Sequence, residues 1–164
     1  ATKGIKPKWD LNEEISLNFR VRLFDCDGLQ VMCGHKYPMY MDIGRWASAS
    51  SAGLATLVVR NKWAPVLRSQ KVLYRRPLRL WSLFKVKVSF AGFDDKWFYH
   101  KHIFEQNDSI KAIGITKCGI WKKRKIVPIK DVFSDPRVSY KETPLPVWIK
   151  EIFPDKHEKT SFYS

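Results

Sequence analysis

From Leu17 the chain alternates strictly: Leu17, Phe19, Val21 and Leu23 face one side, and Asn18, Arg20 and Arg22 the other. That period of two predicts a half-buried strand. A loop carrying Asp25 and Asp27 follows, and the period then changes. Ile43, Trp46, Ala47, Ser50 and Leu54 recur at helical spacing, which predicts a helix from about Tyr37 to Ser51 with these residues marking one face. Pro38 falls in its first turn, where the missing N–H had no partner to lose. The small residues of ASASSAG (47–53) allow close packing on the other side, as a sheet curving around the helix would require. Gly53 reads as a C-cap or a break, and residues 54–62 as a second helical piece.

Beyond that point the helices stop. Residues 65–76 contain a strand, VLYRR, closed by Pro77. Three further segments, 82–93, 97–106 and 109–121, are rich in β-branched and aromatic residues, with turns at Asp94-Asp95 and Asn107-Asp108. Phe84, Val86, Val88 and Phe90 alternate with Lys85, Lys87 and Ser89, so one face of that strand is wet. A strand, a long helix and then an antiparallel meander argue an α+β fold with the helix lying on one sheet. The tail contains Pro136, Pro144, Pro146 and Pro154, with a short amphipathic helix at 146–153. The expected organisation is an N-terminal arm (1–15) with Trp9 as a docking anchor, one domain (16–130), and a C-terminal arm (131–164) packing on it.

Composition narrows the class. A chain of 164 residues that is 45% hydrophobic and 14% aromatic is one folded domain. No apolar run is long enough to span a bilayer, and the first residues lack the apolar centre of a signal peptide. Three cysteines, Cys26, Cys33 and Cys118, show no metal-type spacing and read as free thiols in a reducing, cytoplasmic setting. The net charge of +14 points to an anionic partner: nucleic acid, a phosphorylated cofactor or an acidic membrane surface.

The candidate chemistry centres on residues 23–45. An acid just outside a helix N-terminus sets a carboxylate beside free backbone N–H groups, which can hold a developing oxyanion. Asp27 is the candidate carboxylate and Gly34 the candidate donor; the alternative is that Asp25 and Asp27 are turn formers and Gly34 a plain turn glycine. His35 reads as a solvent-facing loop residue. His100 and His102 share a face of one strand but lack a third ligand, so no metal site is expected. Cys26 as a nucleophile has only His35 as a near base and ranks below Asp27.

These elements, in this order, resemble the hotdog-fold thioesterases, and the match is sharpest in the 4-hydroxybenzoyl-CoA-thioesterase-like branch. Asp25-Cys26-Asp27, Tyr37 and Arg45 match its Asp-x-Asp motif, Tyr and Arg without a gap. VLYRRPLR (72–79), FAGFDDKWFYHKHIFE (90–105) and PLPVWI (144–149) are similar to the branch typified by thioesterase superfamily member six. The resemblance, over roughly residues 16–150, implies a long central helix wrapped by a curved antiparallel sheet of about five strands. It implies Asp27 as nucleophile or general base, the Gly34 N–H polarising the thioester carbonyl, and a site shared across a homodimer or dimer of dimers. Tyr37, Arg75, Arg76 and Lys96 are the expected substrate and CoA contacts, with an acyl-CoA or acyl-carrier-protein thioester as substrate and no separate cofactor. Two departures stand out. Val31-Met32-Cys33-Gly34 replaces the His-Met-Asn-Asn of the member-six branch, and Asp94-Asp95-Lys96 replaces a basic run.

The expected activity is therefore hydrolysis of a fatty or aryl acyl thioester. A non-catalytic acyl-thioester or lipid-binding protein is the second reading, and nucleic-acid binding through the basic and aromatic residues is a distant third.

Overall fold

The computed structural model describes residues 10–136, 138, 140, 141 and 144–153. Trp9 and Pro154 lie outside the described residues. The elements run β1 (Ile15–Arg20), a tight helical turn (Leu23–Asp25), α1 (Lys36–Ser51), α2 (Leu54–Arg60), β2 (Ala64–Tyr74), β3 (Leu83–Phe93), β4 (Phe98–Gln106), β5 (Ser109–Lys122), β6 (Lys125–Ile126), α3 (Ile129–Phe133) and α4 (Val147–Ile152). One antiparallel sheet has the strand order β1-β3-β4-β5-β2, with two-residue β6 paired to β5. It curls as a half-barrel around α1. This is the expected hotdog architecture.

Part of β4 and β5 is buried on both faces, and the register explains how. Phe98 and His100 point inward, Phe98 joining the core beneath α2 with Leu57, Ile120 and Phe133. Trp97 and Tyr99 point outward and are covered by Ile149 and Phe153 from α4. Successive side chains of a strand take opposite faces, so this aromatic run serves two cores and offers no exposed platform for stacked bases. Leu11, just before β1, is 1% exposed and belongs to the inner core. Between Phe90 and Gly92, β3 carries a bulge, and Gly92 takes φ 117° there, a conformation side chains disfavour.

Three local expectations need correcting. The alternation of the first strand stops at Arg20: Val21 is buried, but Leu23 sits in the tight turn and is 59% exposed. The buried face of α1 is Tyr37, Tyr40, Met41, Gly44 and Ser48, whereas Ile43 and Trp46 lie outside. At Gly44 the sheet approaches α1 too closely for any side chain: a Cβ there would stand 2.5 Å from Val88 Cγ2. Gly44 and Ser48 thus continue the packed side that Tyr37, Tyr40 and Met41 begin, and Ile43 and Trp46 were the misleading signal. Finally, the helices do not stop after α2, because α3 buries Ile129, Val132 and Phe133 against the core. No helix among the described residues is long and apolar enough to cross a membrane.

Candidate active site

The loop before α1 is built as a small hairpin. Asp27 N–H donates to Val31 O at 3.0 Å, Gln30 N–H to Asp27 O at 3.1 Å, and Cys26 pairs with Met32. Gln30 takes φ 58° to close the turn. The segment after β2 backs this hairpin, since Met32 N–H reaches Leu78 O at 2.8 Å and Leu80 N–H reaches Gln30 O at 2.9 Å.

The two acids of the loop have different surroundings. Asp25 is 5% exposed. It accepts from Tyr40 Oη and from Arg22 N–H, each at 2.9 Å, and Lys36 Nζ stands 3.6 Å away. Burial, then the bond to Asp25 and its charge, push the Tyr40 hydroxyl up to about 12. Asp25 therefore clamps the loop to α1. Asp27 is exposed at the hairpin tip, and its Oδ1 accepts from Leu29 N–H at 2.9 Å. Among the described residues no other side chain bonds to its carboxylate.

Gly34, Tyr37, Arg75 and Arg76 come together. With Met32, Tyr74 and Pro77 they line a cavity of about 340 Å³ at the N-terminus of α1. Tyr74 closes one side: its hydroxyl donates to Gly34 O at 3.1 Å, and its ring meets the edge of Tyr37 at 5.0 Å. No backbone carbonyl among the described residues accepts from Gly34 N–H, so that donor is free beside the cavity. Arg75 and Arg76 are fixed at the backbone, both N–H groups donating to Lys111 O, while their side chains are exposed. Burial raises the pKa of Tyr37, and the neighbouring Tyr74 adds to this against a bond from the Leu78 backbone. It stays a neutral phenol at physiological pH. Tyr74 was missed in the sequence; its place in the VLYRR strand, beside the arginines, was the available signal.

Lys96 does not join this group. It follows Asp94, which gathers the Lys96 and Trp97 N–H groups on Oδ1 at 2.9 and 2.8 Å. Its carbonyl lies against Gly119 of β5, whereas Tyr74 pairs with Ala112 on the same strand. Seven strand steps separate those positions, about 23 Å. Cys26, Cys33 and Cys118 are free thiols, and burial raises the pKa of Cys26, with the charge of Asp25 adding to it. That keeps Cys26 a poor nucleophile. His35 is exposed, and His100 and His102 are buried. Among the described residues no cluster of His, Cys, Asp or Glu is placed to hold a metal.

The thioesterase-like superfamily model matches residues 21–136, from the loop through α3. The chain belongs to that superfamily. This thioesterase-like protein is 30% identical over 106 residues to Protein THEM6 of Xenopus laevis, a match covering 63% of this chain and 51% of the relative. The chain thus spans about half the length of the curated relative it matches. Two solved structures share the fold. One is a 1,4-dihydroxy-2-naphthoyl-CoA thioesterase from Synechocystis, with TM-score 0.63 and 17% identity over 74% of this chain and 93% of that one. The other is a Staphylococcus aureus protein in complex with CoA, with TM-score 0.68 and 11% identity over 84% and 92%.

Proposed function

We propose that this protein hydrolyses acyl-CoA thioesters to a free acid and CoA. The observation that carries the reading is the convergence of Gly34, Tyr37, Arg75 and Arg76 on one cavity at the tip of α1. Superfamily membership supports the reaction class.

In this reading the thioester carbonyl oxygen accepts from Gly34 N–H, aided by the positive end of α1. Asp27 either attacks the carbonyl carbon, giving an anhydride that water cleaves, or takes a proton from an attacking water. The thiolate of CoA departs in both routes and needs little help from an acid. Arg75 and Arg76 hold phosphate oxygens of the CoA, or an acidic carrier protein bearing the same pantetheine arm. Because Asp27 faces outward in its own subunit, the reading requires a second subunit to enclose it. The edge strand β2 exposes Leu67, Leu73 and Tyr74 and has an unpaired side, which suits a homodimer with Lys96 of one subunit near the site of the other.

The test is a panel of aliphatic and aryl acyl-CoAs with a thiol-reactive dye, run beside light scattering. CoA release that disappears in Asp27→Asn, from a dimer, is the expected result. No release above background removes the hydrolase reading, and release equal in wild type and Asp27→Asn takes the catalytic role away from Asp27. Binding without turnover is the second reading. It is favoured by the engagement of Asp27 with Leu29 N–H and by Val31, Cys33 and Gly34 standing where the member-six branch has His, Asn and Asn.

A further inference from the structure

A second cavity, of about 90 Å³, lies along the other half of α1, between its later turns, α2 and the start of β2. Its walls are largely apolar, with Ala49, Leu54, Val58 and Ile120 among them. Arg45, His100 and Cys118 also line it, and their polar atoms are unusual. His100 is 1% exposed, yet neither ring nitrogen has a hydrogen-bond partner. Arg45 Nε is likewise buried and unpartnered, while the other guanidinium nitrogens go to Asp42 and to Cys118 Sγ. Buried groups of this kind are rarely left unmade in native proteins. Three such atoms, on two residues that line this cavity, are left for a partner from outside the chain.

The chemistry of that partner follows from what is offered. Arg45 presents one free cationic N–H. His100 is held neutral, its pKa lowered to about 3 by burial and then by Arg45, so its ring presents one donor. Phe90 and Phe98 flank the ring edge-to-face, each at 5.7 Å, and fix its plane. Two donors, one charged, match the two oxygens of a carboxylate; a hydroxyl would leave the cation unused. Asp42, the counter-charge of Arg45, has a side chain 51% exposed, so its charge is turned to solvent. Trp46 and Leu67 also line the cavity and are 49% and 37% exposed, which gives a ligand tail a way out.

The geometry points to a second ligand site here: a pocket for an aliphatic monocarboxylate, its head between Arg45 Nε and His100 and its chain against Leu54, Val58 and Ile120. The site is separate from the first. Arg45 lies nine residues from the start of α1, about 13 Å along the axis, and the two cavities share no lining residue. A monocarboxylate is also what hydrolysis at the first site would release; that connection rests on the thioesterase reading, but binding itself does not.

Titration calorimetry of the full chain with sodium octanoate at neutral pH tests this, with 1-octanol as the uncharged comparator. One saturable octanoate site is expected, weakened at least tenfold in Arg45→Gln and in His100→Phe, with octanol at least tenfold weaker. Ala49→Leu fills the cavity without touching its polar groups, and should abolish binding while keeping a cooperative melting curve. Asp27→Asn should bind octanoate as wild type does, whatever its turnover. Absence of a saturable site, equal binding of octanol, or octanoate binding unchanged in Ala49→Leu overturns the proposal. Wild type that hydrolyses thioesters but shows any of those results sinks this site alone.

Discussion

The Tyr40 hydroxyl donates to Asp25 Oδ2 at 2.9 Å, tying the second turn of α1 to the foot of the loop that carries Asp27. Asp25 is thereby a fastening, and its role differs from that of its neighbour two residues on. A buried hydrogen bond to a charged group contributes about 1.5–3 kcal/mol, and an unpaired partner left behind costs comparably. Asp25→Ala should lower stability by about 2–3 kcal/mol and Tyr40→Phe by about 1–2 kcal/mol. Urea unfolding of both variants and of the double variant would measure this; strict additivity of the two losses would contradict a direct coupling.

Asp27→Asn should behave in the opposite way. The side chain is exposed, and asparagine can still accept from Leu29 N–H. Its urea midpoint should match wild type within about 0.5 kcal/mol. CoA release should fall by about a hundredfold or more. A large stability loss with activity retained would transfer the catalytic role elsewhere.

Arg75→Gln and Arg76→Gln should each raise KM for acyl-CoA about tenfold with little change in kcat, since a charge-assisted contact of about 1.4 kcal/mol is a factor of ten. The effect should shrink as salt is added. Lowered kcat at unchanged KM would mean that these residues act on the reacting carbonyl.

Gly44 separates packing from chemistry. An alanine Cβ there would lie 2.5 Å from Val88 Cγ2 on the facing strand. Overpacking of this kind costs about 1–3 kcal/mol, and Gly44→Ala should show it in urea. Adding Val88→Ala should restore part of the loss, because the clash is with that side chain.

Acid should destabilise the fold before carboxylates titrate. Burial lowers the pKa of His100 to about 3, and that of His102 falls well below its usual value for the same reason, with His100 and Arg45 adding to it. A histidine free in the unfolded chain takes its proton near pH 6.5. Below that pH the unfolded state therefore binds more protons, so stability is full above about 6.5 and declines as pH falls toward 3. His100 alone accounts for up to about 5 kcal/mol of that decline. Unfolding free energies across this window for wild type and His100→Phe would check the sign; a flat profile in wild type contradicts it.

The strands were legible because their signal is local. Phe84 to Phe90 alternates with lysines and serine, and β3 follows it from Leu83 to Phe93. Pro38 and the acid loop likewise located the start of α1. What escaped was anything set by distant packing. Ile43 and Trp46 have the periodicity of a buried face, but the sheet selects the face bearing Gly44, Met41 and Ser48, which no hydrophobic count would choose. The aromatic run 97–99 was separable into two faces by period alone, whereas the burial of His100 and His102 depends on α1 lying over them. Of the named site residues, Gly34, Tyr37, Arg75 and Arg76 share a cavity because Tyr74 brings the end of β2 to α1. Lys96 lies far off, near the other end of β5, a separation set by strand register that its place in the sequence does not reveal.

The missing side chains at Gly44 and Gly114 have a mechanical result. Val88 of β3 presses into the first gap, and the Met41 thioether sits where a Cβ on Gly114 of β5 would stand. The rod is thus notched onto two strands that flank β4, and neither sliding nor rolling is free. Its tip, with the Gly34 amide, inherits the stiffness of the sheet. Substitutions that retune ligand preference can then accumulate in the hairpin and around Pro77 without moving the amide.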